Sequence, residues 1–190
     1  MRIHSHHGNE TAHAVVPNRR VGAYYLAGML LLVGLAWWFQ PWGLRLLWPA
    51  ASLGVVAFGY FKAGAAIFLK DRGRIPFAVK AAFAPVLLGQ YLSLLHYRRQ
   101  CRAWDKVTPQ VIIGRLLDET EARQAIAQGV TAVLDLTGEF SETLAFRSLA
   151  YLNVPVLDLT APTRMQFQQA VVFINAESRR GQVYVHCKIG

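Results

Sequence analysis

The residues richest in chemistry stand at 183–190, Val-Tyr-Val-His-Cys-Lys-Ile-Gly. They read as a buried strand running into His-Cys-x-x-Gly, which delivers the Cys187 thiol at a strand end. The thiolate is the reactive form, yet a thiol of ordinary pKa, about 8.5, is mostly protonated at neutral pH. Backbone N–H donors favour the charged form, and Gly190 allows a close backbone approach. Proton transfer asks for a second group. Two carboxylates offer themselves, Asp135 and Asp158, at the same place in two copies of Leu-Asp-Leu-Thr, 134–137 and 157–160. The plainer reading of Asp158 is an Asx turn ahead of a helix, and of Asp135 a strand end bonded to local backbone.

The segments that must position these groups alternate between strand and helix. Val111–Gly114 is a short strand. Asp118 to Gln128 is a helix with acids in its first turn and Gly129 at its end. Val130 to Leu136 is a buried strand and Tyr151 to Leu157 another extended stretch. Thr163 caps a helix running to about Arg180, with Phe167, Ala170, Val171 and Ile174 on its apolar face. Gly181 ends it, and Gln182 to His186 is the strand that carries Cys187. This order predicts an α/β layer structure with that strand central. Roughly 80 residues are available, a marginal size for one core.

The first half differs in kind. The chain has 190 residues, 54% of them hydrophobic, and a net charge of +9. Residues 1–99 hold 11 Lys/Arg against two acids, Glu10 and Asp71, whereas residues 100–190 hold nine of each sign. The basic excess therefore flanks apolar runs, which points to membrane topology and away from nucleic acid. Val21 to Phe39 is an uncharged run long enough to cross a hydrocarbon core, too long for the apolar core of a signal peptide. Residues 44–61 form a second run, joined to the first by a tight link at Gln40–Arg45 that contains Pro41 and Gly43. A third apolar segment, 75–97, is interrupted by Lys80, Pro85, Gln90 and His96 and is expected in the interface. Lys62, Lys70, Arg72 and Arg74 precede it, and Arg98, Arg99, Arg102 and Lys106 follow. Both groups favour the cytoplasm. Residues 1–20 read as a polar tail in which His4, His6, His7 and His13 lack a scaffold to hold a metal. Cys101 and Cys187 make no disulfide framework, in keeping with a reducing compartment.

Residues 108–190 resemble the first part of a dual-specificity phosphatase, within the protein tyrosine phosphatase superfamily. The resemblance rests on Val-His-Cys-Lys-Ile-Gly after a strand, Asp158-Leu-Thr-Ala-Pro-Thr163 upstream, and Val133-Leu134-Asp135-Leu136-Thr137 as the strand before the acid loop. The membrane half is similar, more loosely, to bacterial inner-membrane proteins carrying such a domain. The fold class expected is α/β: transmembrane helices at 21–97, then an incomplete phosphatase-like domain with a central sheet at 108–190.

The resemblance implies phosphomonoester hydrolysis through a phosphocysteine on Cys187. Lys188, Ile189 and Gly190 then supply backbone donors to the phosphate, and His186 braces the loop. Asp158 is the expected general acid, because Pro162 and Thr163 make its loop resemble the family's mobile acid loop. In the family an Arg and a Ser or Thr follow Gly190, so turnover by residues 1–190 alone is expected to be negligible. No cofactor or metal is implied. The substrate is expected to be a phosphorylated protein. A phospholipid headgroup such as that of phosphatidylglycerophosphate is the alternative, because Lys188 resembles the lipid-acting members. A non-catalytic membrane interaction protein is the third reading. The expected location is the bacterial inner membrane, multi-pass and in contact with its lipids, with the domain in the cytoplasm.

Overall fold

The computed structural model describes residues 17–190. His4, His6, His7, His13 and most of the tail expected at 1–20 lie outside the described residues. Helix α1, Arg19–Trp38, is capped by Asn18, whose side chain accepts from the Val21 amide. The chain turns back more sharply than a link over Gln40–Arg45 would, because helix resumes at Trp42. Gly43 permits this: a Cβ there would lie 2.4 Å from the Ala36 carbonyl oxygen.

The second helical path changes character along its length. A 3-10 turn, Trp42–Leu46, leads into α2, Leu47–Phe58, then a π turn, Gly59–Ala63, and a 3-10 turn, Gly64–Phe68. Helices α1 and α2 pack together. By length and composition the segments Arg19–Trp38 and Trp42–Phe68 are both apolar enough to cross a membrane. Tyr24, Leu31, Trp37, Trp38 and Trp48 are exposed on their outer surfaces. The third apolar segment is two helices, α3, Phe77–Ala82, and α4, Ala84–Arg98, with Pro85 in the first turn of α4. The basic groups read as topology signals are partly committed to the fold. Lys70 is buried against Asp135, and Arg98 pairs with Asp118 and Glu121.

The second half is a five-stranded sheet in the order β1-β2-β5-β3-β4. The strands are β1, Trp104–Lys106; β2, Val111–Gly114; β3, Val130–Thr137; β4, Ala150–Val156; and β5, Gln182–His186. Strand β1 is antiparallel to β2, and the others are parallel, with β5 in the centre. The sheet thus begins ahead of the expected boundary at Thr108. Helix α5, Glu119–Ala127, opens with a capping box between Asp118 and Glu121. A short helix, α6, Leu144–Arg147, follows β3, and α7, Arg164–Glu177, opens with a second capping box between Thr163 and Gln166.

Both sheet faces are covered. Val133 and Tyr184 pack with Ala122, Ala125 and Phe146 on one side; Leu134 and Val154 pack with Ala170, Phe173 and Ile174 on the other. The face assigned to α7 is thereby corrected. Phe167 and Val171 are exposed, and the buried stripe runs through Ala170, Phe173 and Ile174. The helix is apolar on several sides, so periodicity alone does not choose which side meets the sheet. A third cluster joins the two halves: Leu157, just past β4, is buried with Val56, Tyr60, Ala65 and Phe68. At the same seam a Cβ on Gly138 would come within 2.6 Å of the Ala65 Cβ.

Candidate active site

The carboxyl ends of three parallel strands converge. Strand β5 delivers His186 and Cys187, β4 delivers Leu157 and Asp158, and β3 delivers Thr137 and, past its end, Glu139. Crevices beyond the carboxyl ends of parallel strands are the usual ligand positions in such sheets. Here Cys187, Asp158, Glu139 and Lys188 line one cleft, walled by Leu136, Leu157 and Pro162. Cys187 is half-buried, and the Gly190 amide donates to its Sγ at 3.3 Å. The Lys188 carbonyl accepts from Leu116, while the Lys188 and Ile189 amides have no partner among the described residues.

His186 is fully buried between acceptors. Its Nδ1 lies 3.2 Å from the Cys187 carbonyl and its Nε2 2.7 Å from Glu142 Oε2. The Cys187 carbonyl only accepts, and so does a Glu142 carboxylate, so the two contacts suit a ring that donates from both nitrogens. Burial lowers its pKa, but Asp135 and Glu142 outweigh that and hold it above the ordinary value. Asp135 Oδ1 lies 3.8 Å from Nε2. The other Asp135 oxygen accepts from Lys70 Nζ at 2.6 Å and from the Tyr151 hydroxyl. Burial raises the Asp135 pKa, yet His186 and Lys70 bring it below the ordinary value. Asp135, Glu142 and His186 offer ligand atoms within 4.8 Å of one another. The Lys70 ammonium already supplies the cation, and the four side chains balance as two charges of each sign. The arrangement fits a brace beneath the Cys187 loop better than a metal centre.

Asp158 has a different setting. Its carboxylate accepts from Lys188 Nζ at 3.3 Å and from no local backbone amide among the described residues. The Asx turn of the plainer reading is not formed. The turn closes through Thr160, whose amide and hydroxyl both donate to the Leu157 carbonyl at 3.1 and 2.6 Å. Lys188 itself is buried, its ammonium on Asp158 and on the Gln90 side chain of α4. It therefore neither solvates the loop rim nor reaches outward, as a residue reading a headgroup would. Sequence reasoning passed over Glu139. This carboxyl is buried, its Oε2 has no hydrogen-bond partner among the described residues, and burial pushes its pKa up to about 7. The neighbouring Gly138 packs on Ala65, a contact distant in sequence that leaves no local signal.

Residues 117–190 match a family model described as the phosphatase of a polymorphic toxin system, of the dual-specificity and protein-tyrosine-phosphatase type. Residues 117–190 are a dual-specificity-phosphatase-like domain. Two crystal structures of Tk-PTP, a mutant form and the active form, are similar to the chain at 26% identity, with TM-scores of 0.41 and 0.42. Each comparison covers 46% of this chain, and 62% and 63% of those chains respectively, so the match spans less than two thirds of either. None of the curated proteins matches. The phosphatase-like domain includes both copies of Leu-Asp-Leu-Thr and the Cys187 loop up to Gly190.

Proposed function

We propose that the chain is a membrane-anchored, cysteine-dependent phosphomonoester hydrolase. Cys187 attacks phosphorus and forms a phosphocysteine. Asp158 protonates the leaving oxygen and then draws the proton from the attacking water. The observation that carries this reading is the meeting of Cys187 and Asp158 in one cleft, with the Gly190 amide on Sγ. The Lys188, Ile189 and Gly190 amides receive the phosphate oxygens, and His186 braces the loop through the Cys187 carbonyl. The Arg that follows Gly190 in the family's loop grips two phosphate oxygens.

The anchor is the pair of apolar helical segments, and the proposed location is the bacterial inner membrane, with the domain in the cytoplasm beside the basic groups. The proposed substrate is a phosphorylated protein. The burial of Lys188 removes the side-chain argument for a headgroup, which leaves proximity to lipid as the support for that alternative. The test gives the full-length protein phosphotyrosine peptides and, separately, phosphatidylglycerophosphate vesicles. Peptide turnover that disappears in Cys187→Ser is the expected result. Turnover of the vesicles alone favours the lipid reading. No Cys187-dependent turnover of either substrate favours a non-catalytic interaction protein.

A further inference from the structure

The acid loop is held from outside the phosphatase-like domain. Leu159 has φ +59°, a left-handed conformation that a non-glycine residue keeps only where its surroundings over-determine it. The carbonyls on either side of that strain are both taken by N-terminal residues. The Tyr60 hydroxyl donates to the Asp158 carbonyl at 2.9 Å, and Asn18 Nδ2 donates to the Leu159 carbonyl at 2.8 Å. Leu157 anchors the loop's start in the cluster of Val56, Tyr60, Ala65 and Phe68.

The polar contacts close into a circuit. Lys188 Nζ donates to Asp158 Oδ2 and to Gln90 Oε1. Gln90 Nε2 donates to the Tyr25 hydroxyl at 3.0 Å. The Tyr25 ring stacks on Tyr60 with centroids 5.4 Å apart and planes 16° from parallel, and Tyr60 returns to Asp158. Helix α1, the π turn after α2, and α4 each contribute one member. The π turn carries Tyr60; such turns recur where a helix must aim a functional side chain.

We propose that the N-terminal helices set the position of the proton-donating carboxyl, with Tyr60 and Asn18 as positioning residues for Asp158. The inference rests on the reading of Asp158 as general acid. It assigns the membrane half a part in the reaction beyond anchoring: displacing α1 against α2 moves Tyr25 and Tyr60, and with them the Asp158 backbone.

The experiment compares kcat/KM of the full-length protein, which covers the steps through leaving-group departure and not the shared hydrolysis of phosphocysteine, on phenyl phosphate, whose leaving group needs a proton, and on nitrophenyl phosphate, whose leaving group does not. Tyr60→Phe keeps the ring stack and loses the donor. Asn18→Asp keeps the helix cap and loses the donor to Leu159. Each is expected to lower the phenyl-to-nitrophenyl ratio about fivefold, the weight of one hydrogen bond, with KM nearly unchanged. Asp158→Asn lowers it about 100-fold or more. Hydrogen exchange should quicken at 158–161 in both clamp variants and stay slow in β3 and β5, which marks an intact fold. A wild-type ratio in both clamp variants, with the ratio still lost in Asp158→Asn, overturns the positioning role and leaves the acid standing. A wild-type ratio in Asp158→Asn overturns the acid reading, and this inference with it.

Discussion

The two copies of Leu-Asp-Leu-Thr have opposite fates. Asp135, in the first, is wholly buried at the end of β3 and is held by Lys70, Tyr151, the Thr137 amide and hydroxyl, and the nearby His186. Asp158, in the second, sits on a loop; its carboxylate has a single partner among the described residues, Lys188, and its side chain is 30% exposed. Four identical residues thus yield a saturated brace in one place and an available carboxyl in the other. The difference is made by distant residues. Lys70 reaches the first aspartate's side chain, whereas Tyr60 reaches only the second one's backbone and leaves its carboxylate to the cleft.

The sharpest way to break this contrast is to replace each aspartate by asparagine. Asp158→Asn should slow turnover by about 10²-fold or more and shift the urea midpoint little. Asp135→Asn should cost about 3–5 kcal/mol of stability, because it leaves the buried Lys70 ammonium without its counter-charge while His186 keeps Glu142. Equal stability losses in urea titrations would erase the distinction.

Glu139 sharpens the contrast through pH. Its folded pKa, about 7, lies above the unfolded value of a glutamate, about 4.3. The unfolded state ionises first, so stability should fall by about 3 kcal/mol as pH rises from roughly 4.5 to 7, and Glu139→Gln should remove that fall. His186 acts in the same direction at higher pH. Its raised pKa contributes stability fully below about 6.5, lost as pH climbs through the folded value. Asp135 acts oppositely: its stabilisation is present above about 3.9 and disappears as pH drops through the depressed folded value. Urea midpoints measured across pH for wild type and Glu139→Gln separate these contributions.

Smaller effects probe the seam and the surface. Gly138→Ala puts a Cβ against Ala65 and should cost about 1–3 kcal/mol by forcing the two halves apart, read as a lower thermal midpoint. Arg123→Ala removes an exposed pair with Glu119 and should change stability by about 0.5 kcal/mol or less. A larger loss there would mean that surface pairs matter more to this domain than its core.

Elements that announce themselves locally were legible in the sequence. Thr163 as a helix cap, the acids that open α5, the apolar runs of β3 and β5, and the central place of β5 follow from pattern and turn chemistry. Strand β1 was not legible, because Trp104-Asp105-Lys106 has one apolar residue and becomes a strand only by pairing with β2. Helix α6 is too short to show a period. Within the site, Cys187 and Asp158 stood out by residue type and setting. Lys70, Gln90 and Tyr60 did not, because each acts on a residue 65 or more positions away. In the sequence Lys70 passes for a topology signal, since a lysine beside an apolar run looks the same whether it faces solvent or a buried aspartate.

The most direct test of the central claim is to locate the phosphoryl group. The full-length Asp158→Asn protein, mixed with nitrophenyl phosphate and quenched in acid, should carry phosphate on Cys187 in a peptide mass spectrum, and Cys187→Ser should carry none. Turnover that persists in Cys187→Ser, or phosphate found on any other residue, would contradict the account.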